Sequence, residues 1–168
     1  MKTDYNRRNF LKTTAAFGLG LSLAPSFAFG ENFRDSDKPV AIGFIGVGLR
    51  GRSHLDLLAS MKDVRIPAIC DVNPQANQKA NAILRKRGKQ EAAVYSEHEY
   101  AYQKLLKRKD LDGVIIATPW RWHSPMAVDA MEAGKYVGLE VPAATSLEGC
   151  WDLVHAHEET GTHLMFME

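Results

Sequence analysis

Cysteine is scarce: Cys70 and Cys150 are the only two in 168 residues, with no CxxC pair and no Cys/His cluster at metal-ligand spacing. A disulfide framework and a zinc-type site are thereby excluded, and both thiols read as packing residues. An excess of one charge is missing too. Twenty-one Lys and Arg against 20 Asp and Glu leave a net charge of +1, so nothing points to a nucleic-acid partner. The basic runs Arg85–Arg87 and Lys107–Lys109 fall at the ends of helical patterns, where cations complement the helix dipole. No apolar run reaches the roughly 20 residues of a stable membrane span, and no repeat or low-complexity tract is present.

The nearest approach to a span is TTAAFGLGLSLAPSFA, preceded by NRRNFLK at residues 6–12. Paired arginines before Phe10, Leu11 and Lys12, then a short small-residue-rich apolar stretch, make residues 1–30 a twin-arginine export signal. Asn6 stands where Ser or Thr is more usual. Cleavage is expected after Ala28, giving a periplasmic or secreted protein. That pathway carries folded proteins, often with a cofactor aboard. Residues 31–39 are a polar, turn-rich linker, and residues 40–168 form the folded unit.

Within that unit, short apolar runs alternate with helical patterns, as in a parallel sheet with crossover helices. Strands are expected at Val40–Gly46, Arg65–Cys70, Ala92–Tyr95, Gly113–Thr118, Lys135–Glu140 and His163–Met167. A helix is expected over His54–Met61. Another opens with the cap Asn73 before Pro74 and stops at Gly88. Ser96 with Glu99, and Thr145 with Glu148, have capping-box spacing. Ser124-Pro125 opens a helix that ends at Gly134. The fold class is α/β, a Rossmann-type doubly wound parallel sheet.

The first strand runs into GVGLRG, placing Gly46, Gly48 and Gly51 in G-x-G-x-x-G spacing, with Asp71 twenty positions later at the end of the second strand. In this context the motif is a dinucleotide fingerprint. Gly46 permits the tight turn, Gly48 admits a pyrophosphate, Gly51 allows close helix–strand packing, and the helix N-terminus supplies amides. Asp71 suits two ribose hydroxyls. It would repel a 2′-phosphate, and no arginine follows in DVNPQ, so NAD is favoured over NADP.

ATPWRWHSPM follows the fourth strand, on the side of the sheet where ligands lie. Trp120 and Trp122 offer rigid amphipathic surface for a nicotinamide ribose or a sugar ring. His123 is a candidate hydrogen-bond donor to a hydroxyl and a weaker candidate proton carrier. The plainer alternative is that the tryptophans pack the loop and His123 helps to start the helix.

AIGFIGVGLRG, ICDVNP, GVIIATPWRWHSPMAVDAMEAGKYVGLEVPAA and SLEGCWDLV resemble the cofactor domain of the glucose-fructose oxidoreductase and inositol dehydrogenase family. Within it they are most similar to glycoside hydrolase family 109, whose known activity is NAD-dependent alpha-N-acetylgalactosaminidase. The resemblance covers Val40 to Glu168, with W-x-W-H and E-V-P its most specific parts. It implies NAD contacts at Leu49, Arg50, Asp71, Trp120, Arg121, Trp122, His123, Glu140 and Val141. Many dehydrogenases of the broader family carry Glu-Lys-Pro, whose lysine serves in proton and hydride transfer; Glu140-Val141-Pro142 lacks it, which disfavours an inositol-type dehydrogenase.

The activity implied is hydrolysis by oxidation at C3 of a sugar, elimination of the glycosidic oxygen, addition of water and re-reduction, with NAD regenerated. A protein that recycles its own NAD needs no external supply, which suits export. The family also implies a C-terminal α+β substrate domain carrying the catalytic acid and base. Residues 40–168 are therefore expected to be an N-terminal fragment that binds NAD without turnover, its catalytic residues lying beyond Glu168. A sugar or glycoside substrate, the twin-arginine export machinery and a homo-oligomeric state are the partners implied. The alternatives are an exported NAD-dependent sugar oxidoreductase and a non-catalytic NAD-binding module.

Overall fold

The computed structural model describes residues 38–167. The export signal and most of the linker lie outside the described residues. Six parallel strands, β1 (Val40–Ile45), β2 (Val64–Cys70), β3 (Ala93–Tyr95), β4 (Gly113–Ile116), β5 (Tyr136–Leu139) and β6 (Leu164–Phe166), form one sheet in the order β3-β2-β1-β4-β5-β6. Among the described residues, five helices connect them: α1 (Leu49–Ala59), α2 (Pro74–Lys86), α3 (Tyr102–Leu106), α4 (His123–Glu132) and α5 (Leu147–Thr160). This is the Rossmann order, with a crevice where the carboxyl ends of β1 and β4 diverge.

Period-two alternation splits the core between the two faces of the sheet. Ala41, Ile45, Val114 and Ile116 pack with Tyr102, Leu105, Met126, Met131 and Leu153 on one face. Phe44, Ile69 and Ile115 pack with Leu55, Ala80 and Leu84 on the other. There the helices stop short of β5 and β6, leaving an apolar groove of about 440 Å³ lined by Ile42, Ile115, Tyr136, Met165 and Met167. Pro67 sits inside β2, and the register shifts between Ala41 and Gly43 opposite it. A bulge is where an inner strand tolerates a residue with no amide to donate.

The expected strands are all present, and the helix ends explain the departures. α1 begins at Leu49 rather than His54, because Gly48 itself is the cap. α2 has its expected cap, with Asn73 Oδ1 accepting the Gln75 amide at 2.9 Å, and Arg85 and Lys86 occupy its last turn. Gly88 and Gly134 follow α2 and α4 with φ of 70° and 69°. No helix starts at Ser96: His98 Nδ1 accepts the Tyr100 amide, Glu97 pairs with Lys104, and Glu99 reaches Arg121, so α3 begins only at Tyr102. At α5 the cap is Ser146, not Thr145. Its Oγ accepts the Gly149 amide at 3.1 Å from an extended backbone. α4 starts one residue early, at His123, after a 3-10 turn over Trp120–Trp122. Cys70 is buried as expected, but Cys150 is exposed, since α5 turns that side outward.

Candidate functional site

The glycine loop sits at the crevice, and each glycine has a distinct reason to be there. Gly46 has φ of +86°, and a Cβ on it would lie 2.5 Å from the Ala117 carbonyl oxygen across the β1/β4 junction. A Cβ on Gly51 would lie 2.0 Å from the Gly46 carbonyl oxygen, so α1 can rest on the end of β1 only without a side chain there. Gly48 is the opposite case: a Cβ would meet nothing within 4 Å. Space is therefore left where the α1 amides emerge, and no side chain caps that helix.

Asp71 is fixed before any ligand arrives. Its Oδ2 accepts the Val47 amide at 2.9 Å and its Oδ1 accepts the Asn73 amide at 2.9 Å. One carboxylate thus ties the glycine loop to the end of β2. It remains partly exposed beside the loop.

The stretch after β4 divides its residues. Trp120 is 64% exposed, whereas Trp122 packs against the core and meets Tyr100 edge-on at 5.4 Å. Arg121 lies 5.8 Å over the Trp122 ring and 3.4 Å from Glu99. His123 is 1% exposed, with Nδ1 2.7 Å from the Pro142 carbonyl and Nε2 2.8 Å from the Thr118 carbonyl. Both ring nitrogens face backbone oxygens, which makes the ring a strut between the β4 and β5 loops. Trp122 and His123 thus brace the loop from which Trp120 projects.

At the end of β5, Glu140 is 5% exposed, and its Oε1 accepts from His54 Nε2 and lies 3.4 Å from Arg50 Nε. Burial on its own raises the Glu140 pKa, but the His54 hydrogen bond and the Arg50 charge outweigh it and hold the carboxyl below its ordinary value. Val141 follows, exposed and joined to Pro142 by a cis peptide bond. His54 stands 86 positions from Glu140, and nothing in the linear sequence pairs them. Thr118 and Val72 are further residues the sequence did not single out. Thr118 Oγ1 is buried without a partner at the β4 end, and Val72 is exposed after β2. With Leu49, Trp120 and Val141, Val72 gives the carboxyl ends of four strands an apolar rim. Among the described residues no group of His, Cys, Asp and Glu could hold a metal.

These features fit a dinucleotide: open space at Gly48, helix amides with no side-chain cap and a fixed carboxylate at the adenosine end. The model of the oxidoreductase family with an NAD-binding Rossmann fold matches residues 40–167. The chain belongs to this family. Its cofactor is NAD, in keeping with both the family and the glycine loop.

Proteins with similar sequences include glycosyl hydrolase family 109 protein 1 of Shewanella sp. (strain ANA-3), 39% identical over 98% of this chain. The alpha-N-acetylgalactosaminidase of Shewanella oneidensis is 38% identical over the same share. The chain spans 39% of the length of each of these two curated relatives. Among solved structures, myo-inositol dehydrogenase from Lactobacillus casei, in complex with NAD(H) and myo-inositol, matches with a TM-score of 0.66 at 27% identity. That match covers 77% of this chain and 36% of the dehydrogenase. The WlbA dehydrogenase from Bordetella pertussis, in complex with NADH and UDP-GlcNAcA, matches with the same TM-score at 28% identity, over 77% of this chain and 37% of that one.

Proposed function

We propose that this domain is the cofactor-holding part of an exported NAD-dependent glycosidase acting on terminal alpha-N-acetylgalactosamine. The observation that carries the reading is the 38% identity to a named alpha-N-acetylgalactosaminidase, running through 98% of the chain. Val141 supports it locally. An exposed valine stands where a lysine would serve a simple dehydrogenase, so this loop brings no amine to move a proton.

The chain's own residues bind and orient. The α1 amides and Gly48 receive the pyrophosphate, Asp71 the adenosine ribose, and Glu140 and Trp120 the nicotinamide half. Asp71, held by one amide on each carboxylate oxygen, presents a fixed negative charge that repels a 2′-phosphate. When bound, NAD supplies reversible oxidation of a sugar hydroxyl, which acidifies the neighbouring C–H and lets the glycosidic oxygen leave by elimination. The catalytic acid and base are assigned to a substrate domain outside residues 40–168. The NRRNFLK motif supports export by the twin-arginine route to the periplasm or beyond.

Hydrolysis in deuterated water tests the reaction class. Elimination and addition leave deuterium at C2 of the released sugar, whereas direct displacement leaves C2 unlabelled. A sugar oxidoreductase is the second reading, favoured by the fold shared with myo-inositol dehydrogenase; it predicts no release of a glycoside's leaving group at all.

A further inference from the structure

A buried carboxylate at a ligand cleft must be held, or it takes up a proton or swings out. Glu140 has two side-chain holders, and they are unequal. Arg50 is a long, largely exposed side chain 3.4 Å away, in the first turn of α1 where a diphosphate would arrive. His54 is four residues further along α1 and therefore on the same face, is mostly buried, and makes the closer contact. An anion at the glycine loop competes for Arg50. It does not compete for His54, which lies a turn deeper.

We infer that His54 is the positioning residue for Glu140, its Nε2–H holding Oε1 across the gap between α1 and β5 so that the other oxygen meets the nicotinamide half of the dinucleotide. This rests on the reading of Glu140 as a cofactor contact. The direction follows from the fold: Asp71 after β2 marks the adenosine half, so the ends of β4 and β5 belong to the second mononucleotide half. Because Glu140 is ionised, the hydrogen between the two belongs to the imidazole nitrogen, and the bond is charge-assisted. His54 also lets Arg50 turn to a diphosphate without leaving a buried charge unpaired. The Val141 amide adds to the hold on the carboxylate but is fixed by the backbone and cannot replace the side-chain donor.

The test is NAD titration by calorimetry, using protein from the complete reading frame, stripped of carried-over cofactor, with melting curves for every variant. His54→Leu is expected to weaken NAD binding about tenfold or more, the effect of losing a hydrogen bond to a charged group. His54→Gln keeps a donor at nearly the same reach and is expected to stay within about threefold of wild type. Glu140→Gln weakens binding, and adding His54→Leu to it costs less than about a further twofold, because the two changes remove one interaction. Wild-type affinity in His54→Leu, or an equal loss with and without Glu140, overturns the inference and leaves His54 as packing on α1. Failure of the wild-type protein to bind NAD is a different result: it overturns the cofactor reading itself.

Discussion

Gly48 and Gly51 are three positions apart, and the structure gives them separable consequences. Gly51→Ala forces a methyl onto the Gly46 carbonyl and is expected to destabilise the fold by about 1–3 kcal/mol, read from denaturant unfolding. Gly48→Ala meets open space and is expected to cost about 1 kcal/mol or less, as a weaker helix cap, while NAD affinity falls because the methyl occupies the pyrophosphate's approach. The thiols separate in the same way. Burial pushes the Cys70 pKa up to about 12, while Cys150 is exposed. Within residues 40–168, a thiol reagent at pH 8 should therefore modify Cys150 in the native protein and Cys70 only in denaturant, read by peptide mapping. For Glu140 the folded pKa lies below its ordinary 4.5, so its contribution to stability is present above that value and lost as pH falls below it. Glu140→Gln should flatten that part of an acid-denaturation profile.

Among the elements, the helix termini separate what could be read from what could not. Asn73-Pro74 was legible because the cap and the first-turn proline are adjacent, and the Gln75 amide finds Asn73 as expected. Thr145 and Ser146 are both good caps one residue apart, and spacing to Glu148 favours the wrong one. Ser146→Ala should cost about 1 kcal/mol of stability, and Thr145→Ala less than about 0.5 kcal/mol, in parallel melts. The glycine loop and Asp71 were legible because the fingerprint lies on a strand, a turn and a helix in unbroken sequence. His54 was not, because its partner is on another strand 86 residues away. His123 looked like chemistry by residue type. The fold spends both its nitrogens on carbonyls, a use that only three-dimensional contacts disclose.

The described residues form a six-stranded sheet with an apolar groove over β4 to β6 and a crevice fitted to NAD. Saturating NAD should raise the melting temperature by mass action, and Asp71→Ala should abolish most of the rise. For the proposed export, replacing Arg7 and Arg8 by lysine should retain the protein in the cytoplasm, seen by cell fractionation. In the proposed reaction a redox cofactor serves hydrolysis without being consumed. The most direct test takes the complete gene product, purified without added NAD, and follows nitrophenol release from nitrophenyl alpha-N-acetylgalactosaminide together with NADH absorbance. Steady nitrophenol release with no accumulation of NADH is expected. No release from the glycoside, with NADH formed from free sugars and added NAD, would contradict it.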